Sequence, residues 1–134
     1  AKTALRAEPE SKECLKLFIH QMLRLERRDL ARKLLMEMIE QGADNPDFHN
    51  AVGELCYYDN LLEESERHFR EAAKSGNSAA YNNLGVLYFR QNRFEEAKKA
   101  FERCIEAEPG HRGARANLTQ ALKRLEQRKA GGTQ

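Results

Sequence analysis

Apolar residues in this chain return every three or four positions, and short polar breaks interrupt them at nearly regular intervals. The clearest case is AYNNLGVLYFRQNRFEEAKKAFERCIEAEP, residues 80–109. Here Tyr81, Leu84, Gly85 and Tyr88 fall at i, i+3, i+4 and i+7, one face of a helix, and Ala97, Phe101, Cys104 and Ile105 form the matching face of a second. Gln91-Asn92-Arg93 separates the two helices and Pro109 closes the pair. The pattern predicts an amphipathic helical hairpin in which Gly85 lets the second helix approach closely. Such a hairpin buries one side only, so neighbours must stack on it to complete a core.

The hairpin repeats. The segment IEAEP at 105–109 recurs as LRAEP at 5–9, and the 100 residues between Pro9 and Pro109 are close to three units of about 34. Counting each unit from two residues after its preceding proline gives units at 12–45, 46–77 and 78–111, with a partial fourth from 112. The second unit keeps Val52, Gly53, Cys56, Phe69 and Ala72 in frame, with Ser65 at the small-residue site. In that unit Ser75-Gly76-Asn77 replaces the proline loop as a helix stop. The first keeps Leu15, Phe18, Ile19, Met22, Ala31, Leu35 and Met38 but has no Gly. The fourth supplies one helix, 112–128, with Leu118, Leu122 and Leu125 on one face and Arg115, Lys123 and Arg128 elsewhere; it reads as a solvating cap before a flexible tail at 129–134. Residues 1–11 read as the tail of a preceding repeat helix, so the sequence is expected to be an excerpt of a longer array.

Composition narrows the class. With 134 residues, a third of them charged, and only three prolines, the chain favours helix over sheet, and the predicted fold class is all-α. A net charge of +2 does not imply a nucleic-acid partner. The basic excess is terminal: residues 112–134 carry six Lys or Arg against Glu126 alone, without the interleaved aromatics of a nucleic-acid surface. Cys14, Cys56 and Cys104 show no close pair and no zinc spacing, so they read as reduced and structural, which favours the cytoplasm although the compartment is not encoded. His20, His49, His68 and His111 form no metal spacing, and Gly131-Gly132 belongs to the tail rather than to a phosphate loop. No apolar run approaches the ~18 residues of a membrane span. The expectation is a non-enzyme with no cofactor, no metal, no nucleic-acid partner and no membrane insertion.

In the third unit, Tyr81, Leu84, Gly85, Tyr88, Ala97, Phe101, Cys104 and Pro109 occupy the sites where helix-turn-helix repeats of this length carry aromatic, Leu, Gly, Tyr, Ala, aromatic, Ala and Pro. The hairpin resembles a tetratricopeptide repeat, with Tyr81 and Cys104 departing from the commonest residue. The resemblance extends over nearly the whole chain and is strongest at 78–111. It implies a right-handed α-solenoid with a C-terminal capping helix, whose first helices line a concave groove that holds a partner's peptide or helix.

The repeat frame places Asn82, Asn83, Val86, Phe89 and Arg90 on that groove from the third unit, and Asn117, Gln120, Lys123 and Arg124 from the fourth. Lys16, Leu17, His20 and Arg24 face it from the first unit, and Asn50, Ala51, Glu54, Tyr57 and Tyr58 from the second. Asn83 and Asn117 lie one period apart, each inside A-x-x-N-L; their amides either grip a peptide backbone, resembling the asparagine ladder of the O-GlcNAc transferase repeats, or bond water or a neighbouring helix. Arg24, Arg90 and Arg124 share a late position in their helices, where they either form a basic stripe for an acidic segment or complement the helix dipoles. Tyr57 and Phe89 share an inward position suited to apolar anchoring. The two-carboxylate clamp by which some members of the family hold chaperone C-termini is not expected, because only Asn83 matches it, whereas Asn50, Glu54, Gly113 and Asn117 stand at the other sites. The alternative to a groove is a self-assembling or spacer segment, a homo-oligomer through exposed end helices.

Overall fold

The computed structural model describes residues 12–42 and 45–131, all helix and tight connection with no strand among them. Seven helices follow: α1 (Lys12–Arg24), α2 (Arg28–Glu40), α3 (Pro46–Tyr58), α4 (Leu62–Ala73), α5 (Ser78–Arg90), α6 (Phe94–Ala107) and α7 (Arg112–Gly131). They form two compact units that divide at Ala72 and Ala73. The expected helix tail at 1–11 lies outside the described residues. The last helix runs to Gly131, three residues beyond its expected end at 128.

Identical backbone devices end the first helix of each hairpin. Glu26, Asn60 and Asn92 adopt left-handed φ values of 55°, 62° and 61°. The amide of the next residue reaches back five positions in each turn: Arg27 to Met22 at 2.9 Å, Leu61 to Cys56 at 2.8 Å and Arg93 to Tyr88 at 2.8 Å. This paired-bond turn satisfies carbonyls that would otherwise be orphaned. Asn tolerates the left-handed region; Glu26 does not gain from it. Helix starts are equally local. The Asn45 carboxamide accepts from the Asp47 amide at 2.8 Å ahead of Pro46, and that of Asn77 accepts from the Ala80 amide at 2.9 Å.

In the first unit, Phe18, Ile19, Ala31, Leu35, Phe48, Ala51, Val52, Leu55 and Cys56 make one core from α1, α2 and α3. Against Gly53 lies the Phe69 ring of α4, 2.5 Å from where a Cβ would stand. The Ser65 hydroxyl, fully buried, donates to the Gly53 carbonyl at 2.7 Å, so the small-residue site accepts a polar side chain by bonding it. Arg28 and Arg32 of α2 both donate to Asp59 at the end of α3, at 2.6 and 2.7 Å.

In the second unit, Leu84, Leu87, Tyr88, Phe94, Ala97, Phe101 and Cys104 bury the α5–α6 interface, and Gly85 lies directly under the Phe101 ring. Ala114 and Ala121 are the fully buried residues of α7. Leu118 and Leu125 are half-buried, but Leu122 is 43 % exposed. The expected Leu118–Leu122–Leu125 face is therefore turned by part of a helical step: the small alanines, not Leu122, let α7 approach closely.

Candidate functional site

The second unit brings four of the expected groove residues into contact along the seam between α5 and α7, Asn82 with Asn117 and Phe89 with Arg124. Near the start of the seam the Asn117 carboxamide donates to the side-chain Oδ1 of Asn82 at 3.1 Å. Asn117 thus bonds a neighbouring helix, and the amide still carries a second N–H and an acceptor oxygen. Asn83, half-buried on α5, is engaged within the protein as well.

Seven residues further along α7, Arg124 stands over two aromatic rings, its guanidinium carbon 5.7 Å from the Phe89 centroid and 5.8 Å from that of Phe94. The rings meet edge to face at 5.0 Å and 70°. An exposed arginine so placed gains about 0.5–1 kcal/mol from the ring quadrupoles. Arg128 closes the end of the seam: it lies 4.7 Å from the Phe94 centroid and donates to the Asn92 carbonyl at 2.8 Å. Its anchoring role and that of Phe94 were not foreseen. The signal was in the spacing, since Phe94 and Arg128 are 34 residues apart, as are Arg90 and Arg124.

Arg90 and Gln120 are exposed on α5 and α7. Arg90 has an interaction of its own within the chain. Tyr57 belongs to the first unit, half-buried, with its ring edge-on to Tyr58 at 5.9 Å. Leu17 and Tyr58 are 70 % and 58 % exposed. Ala51 is not: at 2 % exposure it belongs to the core beside Phe18 and Leu55, because α1 packs on that side of α3.

The two buried thiols are not activated. Burial pushes the Cys56 thiol up to about 11 and raises that of Cys104 as well, the reverse of what a nucleophile needs. Among the described residues no group of three His, Cys, Asp or Glu side chains could hold a metal ion, and no helix is long and apolar enough to cross a membrane.

The family model of the tetratricopeptide repeat matches residues 78–111. Solved structures share the fold over most of the chain. The first repeat domain of human RPAP3 is similar with a TM-score of 0.77 and 21 % identity, covering 87 % of this chain and 93 % of that one. The Sgt2 repeat domain of Aspergillus fumigatus gives 0.80 and 19 %, covering 90 % and 82 %. The first repeat domain of Spaghetti, bound to the HSP90 peptide SRMEEVD, gives 0.75 and 22 %, covering 84 % and 91 %.

Proposed function

We propose that this chain, whose residues 78–111 are a tetratricopeptide repeat and whose fold is that of tetratricopeptide repeat domains, is a non-catalytic scaffold that holds an acidic peptide segment of a protein partner. The observation that carries the reading is Arg124 held over Phe89 and Phe94 on the same seam as the Asn82–Asn117 amide pair. Seven helical residues separate Asn117 from Arg124, about 10 Å, which matches roughly three residues of extended chain. A partner's backbone would bond the amides of Asn83 and Asn117, an apolar side chain would rest on Phe89, and a carboxylate would reach Arg124 with support from Arg90 and Gln120.

The Spaghetti domain holds a peptide ending in EEVD. In this chain Glu54 and Gly113 stand where the family's chaperone clamp carries Asn and Lys, so we place the acidic ligand on Arg124 rather than in that clamp. Fluorescence anisotropy with acidic decapeptides, one ending in EEVD, tests the assignment. Binding should fall at least tenfold in Arg90→Glu with Arg124→Glu, and in Asn83→Ala with Asn117→Ala, while the far-ultraviolet dichroism is unchanged. Peptides that bind the charge-reversed protein equally well would move the site off this seam. Exposed Leu17 and Leu25 in the first unit, at 70 % and 56 %, favour self-association as the second reading; light scattering that finds a dimer and no peptide binding would establish it.

A further inference from the structure

One buried polar pair lies outside the peptide-binding reading. His49 on α3 and His68 on α4 approach with their Nδ1 atoms 3.3 Å apart, and His68 is only 8 % exposed. The ring centroids are 5.5 Å apart and the planes differ by 25°. A centroid distance that long, with the nitrogens that close, means that the two Nδ1 atoms lie nearly on the line between ring centres. The rings therefore meet nitrogen to nitrogen, edge on, and not face to face. That is the geometry of an N–H···N bond: one ring must carry its proton on Nδ1 and the other must leave Nδ1 bare. A spacing of 3.3 Å is one that two ligands of a tetrahedral metal ion would also have, but here the lone pairs run along the line between the nitrogens instead of converging on a point beside it, so the pair is not arranged as two metal ligands.

The pair is a local departure from the repeat. At the same frame positions the third unit carries Tyr81 and Ala100, and the first carries Leu15 and Leu34. Only the second unit places two titratable rings there, facing each other between its helices.

We propose that His49 and His68 form a proton-operated latch between α3 and α4, closed while one of the facing nitrogens is bare and opened by a second proton. The first added proton can be taken at the outer nitrogen of the donor ring, leaving the N–H···N bond in place. The second has only the bare Nδ1, and it would set two N–H groups against each other. Around His68 the neighbouring charges do not rescue that state. Burial opposes a proton on His68 most strongly, followed by the charge of His49 and that of Arg67; Glu64 and Glu71 favour it less. From α2, Asp29, Arg32 and Lys33 line the same pocket of about 210 Å³ beside His68, where Arg32 is committed to Asp59, leaving one acid against one base. The pocket gives solvent a route to the latch. The sign is that of a depressed basic group: its stabilisation is complete above the unfolded histidine value of about 6.5 and is lost as the pH falls below it.

Transplanting the third unit's own residues, His49→Tyr with His68→Ala, removes the pair in a form the fold already accepts. Urea unfolding at pH 7.5 and 5.5 should show the wild-type unfolding constant rising about tenfold more over that interval than that of the transplant, one proton's worth for a group that titrates near 6.5 when unfolded. Should the transplant not fold, His49→Gln with His68→Gln, a pair that can still hydrogen-bond but cannot titrate, gives the same comparison. Long-range proton–nitrogen correlation at pH 7.5 supplies a readout that stability alone does not: one ring protonated on Nδ1 and its partner bare there. Equal acid sensitivity in wild type and variant, or both rings carrying their proton on Nε2, would overturn the latch.

Discussion

Gly85 and Gly53 show how a single missing methyl sets the spacing of a hairpin. Each lies under a phenylalanine ring of the partner helix, Phe101 and Phe69, so close that a Cβ would meet ring carbons. Gly85→Ala should lower stability by about 1–3 kcal/mol through overpacking, read as a shift of the urea midpoint at unchanged slope. The first unit confirms the logic by exchanging both partners: Ile19 and Leu35 occupy the Gly and aromatic positions and share one core. Because the glycine and ring recur at fixed intervals, this part was legible in the sequence. Glu26 was not. Its left-handed φ of 55° is a property of the turn that Asn60 and Asn92 fill more easily. Glu26→Gly should therefore stabilise by about 0.5–1 kcal/mol, seen as a higher thermal midpoint. The Asn82–Asn117 bond was also hidden, since periodicity assigns a residue to a face but does not aim its carboxamide.

Whole elements were readable where large apolar residues mark the buried stripe and misread where small ones do. The hairpin breaks at Gln91-Asn92-Arg93 and at Ser75-Gly76-Asn77 fall where expected, because turn and capping chemistry is local. For α7 the pattern selected Leu122, whereas Ala114 and Ala121 face inward; alanine contributes little to a hydropathy stripe yet permits the closest helix contact. Between α2 and α3 the fastening is ionic. Hydrogen bonding from Arg28 holds the Asp59 carboxyl below the usual carboxylate range, with Arg32 adding to it against the opposing effect of burial. A depressed carboxyl stabilises above its unfolded value of about 3.9 and loses that contribution as the pH falls. Asp59→Asn should thus unfold at lower urea than wild type at pH 7, the gap narrowing toward pH 2 and in high salt.

At the scale of the molecule the chain holds two packed units, each with its own core, and cooperativity in repeat proteins runs between neighbours rather than through one centre. Native-state hydrogen exchange should resolve this. Amides of α5 and α6, closed around Gly85 and Phe101, should be protected longest; those of α1 and α2, whose core leaves Met22, Met38 and Ile39 partly exposed, should open first. A single protection level across all helices would contradict it. The stacking of hairpins was legible because each unit repeats one pattern; a division at Ala72 and Ala73 was not, because no break in composition marks it. The small buried face of α7 has a mechanical consequence. The helix is fastened to α5 and its turn by the Asn117–Asn82 bond and, eleven residues on, by Arg128 to the Asn92 carbonyl. Tension applied beyond Gly131 would load these fasteners one after the other, Arg128 first, so α7 should peel at low force and reseat on release, while α5 and α6 stay folded beneath it.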